Sequence, residues 1–423
     1  MDSKVYSDYI SILKEELLPA MGCTEPISVA YASALARETL GVIPERVEIC
    51  VSGNILKNVK SVIVPNTGGL KGVAAAAAAG IVAGKADKKL QALSEISPSD
   101  IQEIKNYLKS AAFCVTQAHS GCVFDIGIRV FNKDNTAYVR IEGHHTNVVC
   151  IEKDGKEILS GTILGDCNNL TDRSVLSVQG IIEFADSVNI DDIKEIIERQ
   201  IEYNSAIAEE GLKNDYGARV GKILLSVYGN NVHNVAKATA AAGSDARMNG
   251  CSLPVVIVSG SGNQGMTASL PVIVYAKHLK VSRDKLIRAV ALSDLITIHL
   301  KTGIGRLSAY CGAVSAGTGA GAAISYLYGG KFDEIAHTIV NSLAIDSGVI
   351  CDGAKASCAA KIASAVDSGL MGMEMYRNGS QFYGGDGILE HGVEKTIHNV
   401  GDLARIGMRE TDEEIIKLMI KNI

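Results

Sequence analysis

Tryptophan is absent from this 423-residue chain and aromatic residues make up only 5% of it, which argues against an aromatic-rich β-sandwich. The 43 glycines, together with abundant alanine, instead predict helices packed closely through small side chains. A basic surplus is also missing: a formal net charge of −6 offers no surface for nucleic acid. Long apolar runs are lacking as well. The nearest candidates, Val73 to Ala83 and Cys311 to Tyr328, are dominated by Ala, Gly, Ser and Thr and read as buried helices rather than membrane spans. The opening residues include acids and no early apolar block, so no secretory signal is expected. The length allows two or three domains, and 47% hydrophobic with 21% charged residues is an ordinary soluble balance. Ten cysteines in such a chain predict reduced thiols in the cytoplasm, with metal binding open.

The periodicity changes along the chain. Tyr6, Ile10, Leu13 and Leu17 recur at helical spacing, and a second helix runs from Pro26 to about Leu40, where Gly41 ends it. Val47 to Val51 and Val59 to Val64 read as strands, Leu70 to Ala83 and Ser99 to Lys109 as helices. Val123 to Phe131, Ala137 to Ile141, Asn147 to Ile151 and Glu157 to Leu159 follow as strands, with Lys133-Asp134-Asn135 and Asp154-Gly155 as hairpin turns. Beyond about Asp172 strands nearly vanish and helical patterns continue to Ile420. The expected fold class is α+β. A mainly helical domain comprises 1–41 and 176–423, and a smaller α+β domain at 42–175 contains an antiparallel sheet.

Three cysteines in the helical part carry the strongest chemical signal. Cys311-Gly312 is followed by Cys351-Asp352-Gly353-Ala354-Lys355-Ala356-Ser357-Cys358. Three thiolates from two separated segments can hold an iron-sulfur cluster and leave one iron open, a Lewis acid. On one continuous helix Cys351 and Cys358 would lie about 10 Å apart along the axis, too far for one compact cluster, so the chain must bend between them. Asp352 is a good N-cap and Gly353 accepts unusual backbone angles. This places Cys351 in a turn and Cys358 in the first turns of a helix propagated by Ala354 to Ile362. The plain alternative is three small buried hydrophobes. Cys-x6-Cys matches no tight zinc signature.

In Met21-Gly22-Cys23-Thr24-Glu25-Pro26, Thr24 is placed to cap a helix beginning near Pro26. Cys23 then sits at the positive end of the helix dipole, where a thiolate is stabilised and its pKa falls. Two glycine-rich loops, Asn66-Thr67-Gly68-Gly69 and Ser259-Gly260-Ser261-Gly262-Asn263-Gln264-Gly265, each lead into a helical pattern and offer backbone N–H groups to a carboxylate or phosphate. Neither is a Walker A or dinucleotide fingerprint, and the small polar side chains of the second favour a small substrate. Ordinary turns share this composition. His144 and His145 are adjacent on a strand pattern and point to opposite faces, so at most one of them faces a given site. A surface or core role suits either one.

Taken together, Gly22-Cys23-Thr24-Glu25-Pro26, Asn66-Thr67-Gly68, His145-Thr146-Asn147, the Ser259–Gly265 loop, Cys311-Gly312 and the Cys351–Cys358 segment resemble the iron-sulfur L-cysteine desulfidase family over nearly the whole chain. The second half is also similar to the α component of the iron-sulfur L-serine dehydratases. There, three cysteines with one long and one short gap bind a [4Fe-4S] cluster, and Cys311, Cys351 and Cys358 match that order. The short gap is shorter here, and no cysteine follows Asp402, where some dehydratases carry a further functional one. Cys23 matches the N-terminal cysteine characteristic of the desulfidases.

The resemblance implies a [4Fe-4S] cofactor on Cys311, Cys351 and Cys358. It implies a lyase converting L-cysteine and water to pyruvate, ammonia and sulfide without pyridoxal phosphate, with L-serine dehydration as the alternative. Asn66, Thr67, Gly68, Ser259, Ser261, Gly262, Asn263 and Gln264 are the expected substrate contacts. Cys23, Lys355 or His145 is the base, and Cys23 can instead occupy the fourth iron. A small amino acid is the expected partner, with no nucleic acid and no membrane; a homo-oligomer is left open.

Overall fold

Helix α1 (Ser3–Glu16), strand β1 (Pro19–Met21) and helix α2 (Thr24–Leu40) open the chain in the computed structural model, which describes residues 1–118, 120–161, 170–305 and 307–420. Gly41 closes α2 in the left-handed conformation at φ 90°, as its position predicts. Strand β2 (Arg46–Val51) is followed by α3 (Gly53–Val59), α4 (Val73–Ala83) and α5 (Pro98–Ser110). Then come β3 (Ala112–Gln117), β4 (Asp125–Asn132), β5 (Asn135–Glu142), β6 (Val148–Lys153) and β7 (Lys156–Ser160). The six-stranded sheet has the order β3-β2-β4-β5-β6-β7. Lys133 at φ 51° and Asp154 at φ 50° turn the two hairpins of the meander.

The expected antiparallel sheet is present with one further strand at its edge, and one expected strand is corrected. The sheet is antiparallel except at one edge, where β3 runs parallel to β2, because three helices carry the chain back before it re-enters. Most β3 side chains are exposed, so no hydrophobic alternation marks it in the sequence. Val59 to Val64 is not a strand: α3 ends at Val59, and Ile63 makes only an isolated bridge with Lys71. Val59, Val62 and Val64 are all buried, so this apolar run meets the core through a helix end and a loop.

The helical part comprises α6 (Val178–Ser187), α7 (Ile190–Lys213), α8 (Val220–Tyr228) and α9 (Val232–Met248). Strand β8 (Pro254–Val256) pairs antiparallel with β1, tying the N-terminal stretch to this part. Helices α10 (Gly262–Leu279), α11 (Arg283–Ile304), α12 (Gly312–Leu327), α13 (Phe332–Asp346), α14 (Cys358–Arg377), α15 (Val393–Asp402) and α16 (Arg409–Ile420) complete the chain. The fold is thus α+β and mainly helical. No helix among the described residues is long and apolar enough to cross a membrane.

Small residues set the helix spacing. A Cβ added at Gly317 on α12 would lie 2.3 Å from the Ala365 carbonyl oxygen on α14, and one at Gly321 would lie 2.5 Å from that of Gly369. Both contacts advance in the same direction along the two helices, so α12 and α14 run parallel and their N-termini share one end. Alanine normally stabilises a helix relative to glycine. Gly321→Ala is instead expected to destabilise the protein by about 1 to 3 kcal/mol through overpacking, measured by urea unfolding; a gain in stability would mean that the helices are not in contact there.

Candidate active site

Four helix N-termini surround one small pocket of about 100 Å³. Cys23 is the N-cap of α2, Ser261 of α10 and Cys311 of α12, while Cys358 is the first residue of α14. All four line the pocket, as does Cys351. The Cys311 N–H donates to the Val349 carbonyl at 2.9 Å and the Cys351 N–H to the Ala309 carbonyl, around a bridge between Tyr310 and Ile350. These bonds hold the two distant segments side by side. The chain bends after Cys351 at Gly353, whose φ is 93° and where a Cβ would lie 2.3 Å from the Lys57 carbonyl oxygen. Only glycine meets both demands.

The bend differs in detail from the expectation. Asp352 is not an N-cap, and α14 begins at Cys358 rather than near Ala354. The Asp352 carboxylate accepts from Lys355 and Lys361 instead; burial would raise its pKa, but these two cations outweigh burial and hold it at about 2. Lys355 also donates to the Gly353 carbonyl and so braces the turn.

The three thiols sense one another. Burial and the neighbouring Cys351 push the Cys311 thiol up to about 12, and burial with Cys351 also raises Cys358. Such like charges gathered at helix N-termini suit a cationic centre, which reverses this balance and holds thiolates. Among the described residues no three His, Cys, Asp or Glu side chains close in tightly enough to hold a single ion. Cys311, Cys351 and Cys358 put three soft sulfur donors on one pocket, the ligand type that iron-sulfur groups use.

Cys23, 2% exposed, requires a correction. It occupies the N-cap position itself, since α2 begins at Thr24. Its thiol is pushed well above the usual range, not lowered, because burial and the adjacent Glu25 carboxylate outweigh the helix end and Arg247. Cys23 Sγ donates to Glu25 Oε2 at 3.0 Å, and Asn58 Nδ2 donates to Glu25 Oε1 at 2.9 Å. Burial alone would raise the Glu25 carboxyl, but the His145 imidazole, the Cys23 thiol and Arg247 hold it below the ordinary carboxylate range. His145 is buried against the Phe124 ring at 4.8 Å and acts on the pocket through Glu25.

The glycine-rich loops divide. Ser261, Asn263 and Gln264 line the pocket. Ser259 and Gly260 form the tight turn before them, and the Gly260 carbonyl accepts from Thr24 Oγ1 at 3.0 Å. Gly262 leaves room for Arg247, whose Nε would lie 2.5 Å from an added Cβ. In the other loop, Asn66 donates to the Leu93 carbonyl and the buried Thr67 to that of Val64, while Gly68 packs near Ile101. Asn66, Thr67 and Gly68 are not among the residues lining this pocket; their loop supports the Cys23 turn from behind, where a Cβ at Gly22 would lie 2.0 Å from Pro65.

Sequence reasoning missed part of the wall. Asn54, Lys57 and Asn58 on α3 line the pocket, as do Arg247, Lys301 and Lys361. The i, i+3, i+4 spacing on α3 was a readable signal of one polar face, hidden by taking the following residues as a strand. Lys57 is buried and paired with Asp412 of α16, which also accepts from Asn54, so the C-terminal helix is pinned to the pocket wall.

A family model for the serine dehydratase alpha chain matches residues 87–417. The chain belongs to this family. Its members are iron-sulfur proteins, and the match makes this chain a lyase related to serine dehydratase. It is also 58% identical over 418 residues to a UPF0597 protein of Desulfitobacterium hafniense, covering 99% of this chain and 97% of that protein. A UPF0597 protein of Lachnoclostridium phytofermentans is 52% identical over 418 residues, 98% of this chain and 100% of that protein. One of Treponema denticola is 46% identical over 431 residues, 100% of each. The family match begins after Cys23, Glu25 and α3, whereas the UPF0597 relatives align along nearly the whole chain.

Removing Asp412 leaves the buried Lys57 ammonium without its carboxylate. Asp412→Ala should therefore lower stability by about 3 kcal/mol, read by chemical denaturation, and should expose α16 to limited proteolysis before the rest unfolds. Unchanged stability would mean that the pair does not hold α16.

Proposed function

We propose that this family member is an L-cysteine desulfidase, releasing pyruvate, ammonia and sulfide, with a [4Fe-4S] cluster held by Cys311, Cys351 and Cys358. The observation that carries the reading is the Cys23–Glu25 hydrogen bond in the wall of the same pocket that those three thiols line. A bound cluster supplies a Lewis acid for the β-substituent of the substrate. The α-proton needs a base, and the chain offers one at Cys23 Sγ. As Cys23 passes its own proton to Glu25 Oε2, its sulfur can accept the substrate proton. Asn58 keeps Glu25 oriented for this, and His145 favours its ionised form. Lys355 serves the turn, so it is a weaker choice of base. Elimination leaves an aminoacrylate, which hydrolyses to pyruvate and ammonia. The thiols and the cluster suit a reducing compartment such as the cytoplasm.

L-Serine dehydration is the second reading, favoured by the family match to the serine dehydratase alpha chain. Anaerobic assay with both amino acids separates them: L-cysteine should give sulfide and pyruvate in equal amounts, with a higher kcat/KM than L-serine. Pyruvate from L-serine with no sulfide from L-cysteine would reverse the assignment.

Two sets of variants test the residue roles. Ser at Cys311, Cys351 or Cys358 should sharply reduce iron content; full iron in all three would remove them as ligands. Cys23→Ala should keep most of its iron but lose turnover by about a hundredfold or more, the scale of a general base. Near-normal turnover would reduce Cys23 to a packing residue.

A further inference from the structure

The pocket also contains polar atoms that nothing in the protein satisfies. Arg247 is 2% exposed, and its Nε lacks a hydrogen-bond partner; Nη1 donates to Asn263 Oδ1 at 3.1 Å, which fixes the plane of the fork. Asn54, Asn58 and Gln264 line the same pocket, and their acceptors Asn54 Oδ1, Asn58 Oδ1 and Gln264 Oε1 are all buried and all unpartnered. The Gln264 amide has room because residue 312 is glycine, where a Cβ would approach within 2.6 Å of Gln264 Cδ. A buried guanidinium donor and a buried amide acceptor left without partners each carry a desolvation penalty. The Arg247 donor and these neutral acceptors, in a pocket that Glu25 also lines, complement a zwitterion.

We infer that the pocket is built for the head group of an α-amino acid, with Arg247 binding the carboxylate and Gln264 and Asn58 binding the ammonium. This rests on the reading of the pocket as an amino-acid lyase site and adds the orientation of the substrate within it. Arg247 suits the carboxylate because its planar fork can pair with two oxygens. Asn263 is then a positioning residue that acts through Arg247. Asn58 is hydrogen-bonded to Glu25, so an ammonium that it binds lies beside that carboxylate, with Cα on the Cys23 side of the pocket.

Three thiols probe the head group in pieces: L-cysteine, 3-mercaptopropionate without the ammonium, and cysteamine without the carboxylate. Their binding is followed by calorimetry on the anaerobically isolated, cluster-loaded Cys23→Ala protein, into which the further substitutions are placed so that L-cysteine is bound with little turnover, and sulfide release is measured on the protein with Cys23 intact. Arg247→Gln should weaken L-cysteine and 3-mercaptopropionate roughly tenfold or more, the scale of a hydrogen bond to a charged group, and leave cysteamine nearly unchanged. Gln264→Met should weaken L-cysteine and cysteamine and spare 3-mercaptopropionate. Retained cysteamine binding shows that Arg247→Gln has folded; if that variant does not fold, Arg247→Lys, which keeps a cation but loses the fork, carries the same test. Equal weakening of all three ligands, no weakening, or a loss confined to cysteamine would overturn the assignment. Carboxylate selectivity without sulfide release from L-cysteine would overturn the desulfidase reading alone, whereas sulfide release without selectivity would overturn the orientation alone.

Discussion

The close approach of α12 and α14 is the constraint on which the site depends. Gly317, Gly321 and Gly369 let two backbones meet, and the parallel course of the helices brings Cys311 and Cys358 to the same end. The bridge between Tyr310 and Ile350 then draws in Cys351. Helices α2 and α10 add their own N-termini. Four positive helix ends around one pocket lower the cost of negative charge there, and the Cys23, Cys311 and Cys358 sulfurs and the Glu25 carboxylate all lie in that field. Burial works against it. For the bare thiols of Cys23, Cys311 and Cys358 burial prevails, so the field alone does not make them ionise.

Charges around this pocket are held in pairs by its surroundings. Asp352 takes Lys355 and Lys361, and Asp412 takes Lys57. These contacts brace the cysteine-bearing turn and the C-terminal helix, and leave the chemistry to groups that face the cavity. Glu25 is the exception that matters: it is buried, yet kept below the usual carboxylate range by neighbours rather than by one salt bridge. A proton can therefore reside at Cys23 while its acceptor stands 3.0 Å away.

Much of this was legible in the sequence because the informative residues are local. The hairpin turns at Lys133 and Asp154, the cap at Gly41 and the long helices follow from short-range rules. The bend between Cys351 and Cys358 also followed, since a straight helix separates them too far. The failures came where partners lie far away in the chain. Asp352 is a sound N-cap by type, but two lysines claim its carboxylate. Cys23 sits at a helix N-terminus as expected, yet the burial that reverses its pKa comes from Val62 and Met248, with which it packs. Arg247 follows an alanine run with no local sign of its role, and only the fold sets it against Asn263 and Gln264. Edge strand β3 was missed because exposed residues carry no alternation.

The most direct test of this account is Mössbauer spectroscopy of ⁵⁷Fe-loaded, anaerobic protein before and after addition of L-cysteine. Three cysteine ligands and one iron left open to substrate predict a cluster in which a single iron subsite changes its spectrum when L-cysteine binds while the others hold theirs. A cluster whose irons are all unchanged by L-cysteine, or a protein that binds no cluster under reconstitution, would contradict it.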